Sequence, residues 1–538
     1  MSLAELLERH RAHLPSPTGI LTLPFRPALT STGSPKVIET AASSGFDNVR
    51  TFNVPVDSEH KSKVLKLWYW GQPHHFAFQV SWISFFVAFF ATFSVPPLIP
   101  VIRECLNLTK SDVSGAAIAS VTGAIFSRLC LGAVCDTYGP RFGHAFLQLL
   151  TAAATMCMAV VTDAAGFIVV RMCIGFSLAT FVACQFWSSV LFNVKVVGSA
   201  NAFGAGWGNA GAGFTHLIMP FIYEGIKNTQ PAFIAWRAAM WIPGSAQVCI
   251  GLLILAFAQD LPDGRYADLK KSGEFKTEGK KSAKCAYTNY RTWLMLLSYG
   301  YCFGVELTVD NNIAPYLFDQ FKLSLSTASL LGAVFSLTNI FARGIGGVAS
   351  DIACKYFGFR GRLWTLYIVQ MGGGICSLLM YYTKSSLGLT MMIVSFWSIL
   401  VPMACGASYG IVPFISKRGL GNVSGLVGAG GNTGGAITQA IFFTSASMTT
   451  AEGFLWMGVM IMAVTTVTLP PLHWPINGWG SMFFKGNPNQ TEEDYFLKDY
   501  TEEEIKAGEH LAVMKFAAES KSQRGYSKQK QAVQQSVV

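Results

Sequence analysis

Phe126-Ser127-Arg128-Leu129-Cys130-Leu131-Gly132-Ala133-Val134-Cys135-Asp136 is answered, 215 residues further on (128 to 343), by Phe341-Ala342-Arg343-Gly344-Ile345-Gly346-Gly347-Val348-Ala349-Ser350-Asp351. In both copies Gly follows Arg at plus four and Asp at plus eight. On a helix that spacing sets the three along one face, with the Asp about 12 Å from the Arg. Each Asp opens a short basic turn, so each Arg lies deep in an apolar span. A charge at that depth costs about 2.5 kcal/mol or more, and such residues usually face an internal cavity on a substrate or ion path. Two equivalently placed buried cations imply an anion site.

The composition around them is that of a polytopic membrane protein: 538 residues, 51% hydrophobic and only 13% charged, with 52 glycines and 40 phenylalanines. Apolar runs of membrane-crossing length predict twelve spans. They lie near 77–100, 113–136, 143–161, 164–191, 198–224, 238–258, 291–315, 326–350, 363–383, 388–414, 420–446 and 453–472. The net charge of +10 does not argue for nucleic acid, because the basic residues fall in alternate loops rather than on one surface. Arg141, Lys195, the lysines between 270 and 284, Lys355, Arg360, Arg362, Lys417 and Arg418 all follow even-numbered spans. The positive-inside rule then makes both termini cytosolic. Twelve scattered cysteines, with no CxxC pair and no histidine partner at metal spacing, imply neither a disulfide framework nor a metal site. No cofactor motif and no nucleophile-base constellation occur, so the chain does not read as an enzyme.

The expected organisation is a cytosolic N-terminal tail (1–76), a six-helix half (77–258), a basic cytosolic linker (259–290), a second six-helix half (291–472) and a cytosolic C-terminal tail (473–538). The N-terminal tail carries no hydrophobic signal region, so the first span directs insertion. Glu5 and Glu8 count against a plastid transit peptide. Trp474 and Trp479 read as interfacial anchors. Residues 485–538 read as a disordered tail with Ser520, Ser522 and Ser527 as candidate phosphorylation sites.

A second duplication supports the two halves. Gly204-Ala205-Gly206-Trp207-Gly208-Asn209-Ala210-Gly211-Ala212-Gly213-Phe214-Thr215 in the fifth span matches Gly428-Ala429-Gly430-Gly431-Asn432-Thr433-Gly434-Gly435-Ala436-Ile437-Thr438 in the eleventh. The shared pattern and the similar offset indicate parallel six-helix repeats. Glycines here suit close helix packing, but Asn209 and Asn432 are not needed for that, and an amide at matching depth in each half can hydrogen-bond a polar solute. In the seventh span Glu306 reads as the one mid-membrane carboxylate, whereas Asp136, Asp351, Glu224 and Asp310 read as lying near span ends. A lone carboxyl at that depth is either paired with an arginine or protonated, and both states suit proton coupling. A third buried cation, Arg171, lies in the fourth span.

Asp136-Thr137-Tyr138-Gly139-Pro140-Arg141 resembles the cytosolic loop motif of the major facilitator superfamily, and Arg171-Met172-Cys173-Ile174-Gly175 resembles the fourth-helix motif of its proton-coupled members, although a packing role for Arg171 stays open. With the two glycine-asparagine signatures added, residues 55–480 resemble the nitrate/nitrite porter family of that superfamily, and specifically its eukaryotic high-affinity nitrate transporters. The resemblance implies that Arg128 and Arg343 hold nitrate from opposite sides with Asn209 and Asn432. It implies that Phe181 and Tyr409 sandwich the planar anion, that Tyr299 lies nearby, and that Asp136, Arg141 and Asp351 latch the inner side. Tyr409 stands where relatives usually carry Phe, and His216 where they often carry Gln.

Nitrate's chemistry agrees with that site. A planar, weakly basic anion needs fixed charge and planar donors, which guanidinium groups supply. An inside-negative potential opposes anion uptake by about 2.3 kcal/mol per 100 mV, so one proton cancels the charge and two make uptake electrogenic. The expectation is high-affinity proton/nitrate symport at a plasma membrane, with Glu306 as leading proton carrier and Arg171 or His216 assisting. The bilayer and a small accessory membrane protein are the other expected partners. Nitrate/nitrite exchange, nitrite transport and nitrate sensing through the tails stay open as alternatives.

Overall fold

The computed structural model describes residues 52–271, 279–323, 325–443 and 448–525. Twelve long helical spans run through them. The first half holds α1 (His74–Leu98), α2 (Lys110–Tyr138), α3 (Pro140–Val160), α4 (Ala164–Leu191), α5 (Val197–Lys227) and α6 (Ala232–Phe257). The second holds α7 (Tyr290–Gly300 and Phe303–Phe321), α8 (Leu325–Leu337 and Asn339–Phe357), α9 (Phe359–Thr383), α10 (Leu387–Tyr409), α11 (Leu420–Thr438) and α12 (Thr450–Thr468). The observed bounds fall within about two turns of those read from apolar runs, because the polar ends continue the helices. Nine of the twelve satisfy length and hydropathy alone. The other three are α5, α7 and α11, the spans in which glycine, asparagine or a break dilutes the apolar signal.

Local chemistry sets the ends. Thr109 with Asp112 and Thr449 with Glu452 form capping boxes that start α2 and α12, satisfying otherwise orphan N–H groups. The tight turns from α2 to α3 and from α8 to α9 pivot on Gly139 (φ +89°) and Gly358 (φ +70°). A side chain at either turn would strain the backbone, so the duplication extends to the turn.

The halves meet where α2 runs along α11 and α5 along α8. Backbones touch at both crossings: a Cβ added to Gly132 would lie 2.6 Å from the Gly421 carbonyl oxygen, and one added to Gly206 would lie 2.5 Å from that of Asn339. Small residues bring these helices close enough for side chains from both halves to share one interior.

The described segments flanking the helical bundle depart from the sequence reading. Residues 473–525 are not a loose tail as far as they are described. They form a strap with helices Glu492–Leu497, Glu502–Lys506 and Leu511–Ser520. Trp474 and Trp479, expected at the membrane interface, are fully buried against Phe359 and Phe414. The Arg418 guanidinium donates two 3.0 Å hydrogen bonds to Glu504. The strap's apolar residues are too sparse to register as a span yet form one buried face. At the other end Ser62 pairs with Leu191 and Asn193 through backbone hydrogen bonds. Ser520 is buried and bonded to the Phe516 carbonyl, so it is no open phosphorylation site; Ser527 lies outside the described residues.

Candidate substrate site

α7 breaks at Tyr301-Cys302, where the amides of these two residues donate to the carbonyls of Ser298 and Tyr299 at 3.1 and 3.3 Å. Gly300 and Gly304, flanking the break, pack on α11. A Cβ on Gly434 would lie 2.2 Å from the Gly300 carbonyl oxygen, and one on Gly304 would lie 2.5 Å from the Gly435 nitrogen. The glycine run of α11 therefore serves packing, while Asn432 within it is fully buried and its amide oxygen and nitrogen have no hydrogen-bond partner among the described residues. Asn209 on α5 is in the same condition. Unpartnered buried amides in a folded protein call for an explanation such as a ligand or water.

Both arginines are fully buried. Arg128 donates through Nη1 to the Gly428 carbonyl of α11 (2.5 Å) and through Nε to that of Leu178 (3.3 Å), and its Nη2 has no partner. Arg343 donates through Nη2 to Glu306 Oε2 (2.5 Å) and through Nε to Asn339 Oδ1 (3.3 Å), and its Nη1 has no partner. Asn339 also donates to Glu306 Oε1 (2.8 Å), and Cys405 Sγ points at Oε2 (3.5 Å). The two cations are thus unequal: Arg343 is neutralised by Glu306, while Arg128 has no carboxylate partner among the described residues.

An aromatic wall separates them. The Phe303 ring lies 5.0 Å from the Arg128 guanidinium carbon and 5.6 Å from that of Arg343, within reach of cation–π attraction to both. Phe181 lies 5.1 Å from Arg128. Phe181 and Tyr409 meet edge to face (4.9 Å, 89°) rather than as parallel plates. The near-parallel partners of Phe181 are Phe303 (6.1 Å, 6°) and Tyr299 (6.1 Å, 18°). Tyr409 donates its hydroxyl to the Ser424 carbonyl (3.2 Å), whereas the Tyr299 hydroxyl is buried without a partner. Phe303 and Asn339 were missed in the sequence. The break in the apolar run at Gly300–Cys302 and the position of Asn339 one turn before Arg343 were the available signals.

A small cavity of about 10 Å³, room for about one water, lies beside Glu306, the partner of Arg343, and is lined by Asn209, Phe303, Glu306, Asp310, Ser336 and Asn339 among others. Asp310 is therefore not a span-end residue, because α7 continues to Phe321, six residues beyond the bound read from the sequence. Arg171 lies apart, donating to the Thr92 carbonyl of α1 (2.9 Å). The side chain of His216 lies outside the described residues.

At one end of the bundle the two motif aspartates act across the halves. Asp136 accepts from the backbone amides of Gly421 and Asn422 (both 2.9 Å), from the Asn422 amide (2.5 Å) and from Ser282 of the linker (2.7 Å), capping α11. Asp351 accepts from the Ser199 amide (2.7 Å) and hydroxyl (2.6 Å), capping α5, and pairs with Arg362 (2.7 Å). Carboxylates at helix N-termini satisfy free N–H groups and the positive end of the helix dipole. Arg141 is not part of either cluster. Its backbone amide binds Asp260 and its guanidinium binds carbonyls at the end of α6.

Twelve spans in two repeats, crossing at α2–α11 and α5–α8 around a buried polar centre, define a multi-pass membrane transporter rather than an enzyme. A family profile described as Major Facilitator Superfamily matches residues 81–439. The fold is also that of the proton:xylose symporter XylE of that superfamily, at a TM-score of 0.55 and 13% identity over 72% of this chain and 94% of the other. The chain belongs to the major facilitator superfamily. It is 49% identical to nitrate transporter 2.2 of Chlamydomonas reinhardtii, covering 88% of this chain and 93% of that one. It is 47% identical to high affinity nitrate transporter 2.5 of Arabidopsis thaliana, covering 88% and 95%. Within the superfamily it belongs to the nitrate/nitrite porter family of these relatives.

Proposed function

We propose that the protein carries nitrate across the plasma membrane by proton-coupled symport with alternating access, both termini facing the cytosol. The reading is supported above all by the pair of fully buried arginines, each of which keeps one Nη nitrogen without a partner among the described residues, Arg128 Nη2 and Arg343 Nη1. A planar anion takes hydrogen bonds from both forks. The free amides of Asn209 and Asn432 and the Tyr299 hydroxyl complete its donor set, and Phe181 and Tyr409 bound it. The names of the relatives supply nitrate as the anion; with formal charge fixed on the arginines, the anion needs no proton to be held.

Glu306 supplies the coupling. While ionised it neutralises Arg343 and competes with the anion for that guanidinium. A proton on Glu306 removes the competitor, leaves Arg343 cationic and favours nitrate, so proton and anion bind cooperatively. Asp136 and Asp351 hold the inner end shut by capping α11 and α5. Arg171, expected to assist Glu306, acts through the Thr92 carbonyl of α1, and Arg141, expected in the inner latch, acts through Asp260 and the end of α6. A small accessory membrane protein is a further expected partner.

The test is nitrate-evoked current in voltage-clamped oocytes at two external pH values, with and without a candidate accessory protein. Wild type should give inward current that grows with acid. Arg128→Lys and Arg343→Lys should each lose most of it, because an ammonium cannot reproduce the bidentate fork. Nitrate flux without acid dependence would replace symport by nitrate/nitrite exchange, and current untouched by either substitution would move the site elsewhere.

A further inference from the structure

We propose that Asp310 is a second proton-carrying group of the transport site, so that each nitrate crosses with two protons, one on Glu306 and one on Asp310. The proposal rests on the symport reading above and deepens it. Asp310 follows Glu306 by one turn on the same face of α7, and both line the same cavity. Their partners differ. Glu306 is paired with Arg343 and held by Asn339 and Cys405. Asp310 accepts one hydrogen bond, from Ser336 of α8 (2.8 Å), and has no cation partner among the described residues. Among the described residues the charged groups that act on it are Glu306 of its own helix and Arg343 of α8; in the cavity α5 presents Asn209 and Ala212, and α1 presents Phe89 and Phe93.

Charge arithmetic gives the second carboxylate a purpose. Arg128, Arg343, Glu306 and Asp310 together make the empty site formally neutral, so the unloaded carrier reorients without working against the membrane potential. Nitrate alone makes the site negative, and one proton restores neutrality. Two protons leave the loaded carrier with one net positive charge, which an inside-negative potential draws inward. Each proton moves from cavity water to a carboxylate oxygen, giving a neutral carboxylic acid, and is returned to water on the other side. Asp310 lies further along α7 from the Asp136 end than Glu306 does, so it is the first of the two to meet protons from the opposite side.

The experiment measures charge moved per nitrate taken up, combining clamped current with isotopic nitrate uptake in the same oocytes. Wild type should move one positive charge per nitrate. Asp310→Asn should continue acid-driven nitrate uptake while its charge per nitrate falls to near zero, and Asp310→Glu should restore the wild-type ratio. The proposal is overturned if Asp310→Asn keeps the wild-type ratio, or if Asp310→Glu behaves like Asp310→Asn, which would make the role one of shape. If Asp310→Asn carries no nitrate, Ser336→Ala decides, since it keeps the carboxyl but removes its hydrogen bond: a shifted pH profile of current supports the proposal and an unchanged one overturns it. Wild-type uptake that is acid-driven but electroneutral sinks the second proton and leaves symport standing. Wild-type uptake indifferent to acid sinks symport itself.

Discussion

Glu306 meets Arg343 at 2.5 Å, and among the described residues Arg128 has no carboxylate partner. The sequence pattern made the two arginines equivalent; the structure makes one a member of an ion pair and the other a lone buried cation. Removing one partner of a buried ion pair normally leaves an uncompensated charge, but on the proposed symport reading nitrate is itself the compensating anion. Glu306→Gln, which mimics the protonated state, should keep nitrate binding while abolishing its dependence on pH. Isotopic nitrate binding to the purified protein between pH 5 and 8 checks this, and a wild-type pH profile would remove Glu306 as the carrier. At this scale the arginines, asparagines and Glu306 were legible because each is a polar residue in an apolar run. Phe303 was not, because one more phenylalanine in a membrane span carries no signal until its position between two guanidinium groups is seen.

The same contrast holds for elements. The glycine-rich spans α5 and α11 were recognisable by their repeat, but what the glycines touch was not. Gly425 brings α11 against α2 so closely that an added Cβ would sit 2.7 Å from the Arg128 carbonyl oxygen. Gly425→Val should hold the two helices apart, break the Asp136 cap on α11 and reduce transport at least about tenfold at unchanged surface expression, with Gly425→Ala intermediate. Currents normalised to surface labelling give the answer, and wild-type currents in the valine variant would show that the crossing is not needed. The break in α7 and the position of Asp310 belong here as well. A helix continuing through polar residues to Phe321 cannot be bounded from hydropathy alone, and so Asp310 read as terminal when it is interior.

For the whole molecule, the C-terminal strap joins the two halves at the end where Asp136 and Asp351 cap helices of the opposite half. Gln523 accepts from Arg362 Nε (3.0 Å) in the second half and donates to the Val194 carbonyl (3.2 Å) in the first. Arg418 and Lys281 hydrogen bonds hold the Glu504 carboxyl well below the ordinary glutamate range. A depressed carboxylate stabilises above its ordinary range and loses that contribution as pH falls beneath it. Truncation after Leu472 should therefore lower the thermal unfolding midpoint of the purified transporter by roughly 5 °C or more across neutral pH, by uncovering Phe359 and Phe414. Truncation after Gly525 should leave it unchanged, and equal midpoints for the two truncations would mean that the strap contributes no stability.

The sequence by itself determined the membrane class, the twelve spans, the duplication and the identity of the arginines, asparagines and Glu306. Each of these is a local signal, a run of apolar residues or a polar residue within one. Only the tertiary structure decided that Glu306 neutralises Arg343, that Asp310 shares its cavity, that Asp136 and Asp351 cap helices of the opposite half, and that the polar C-terminal segment folds back as a strap. Those are pairings between residues far apart in the chain. Their energies depend on burial and hydrogen-bond geometry, which exist only once the halves have closed around one interior.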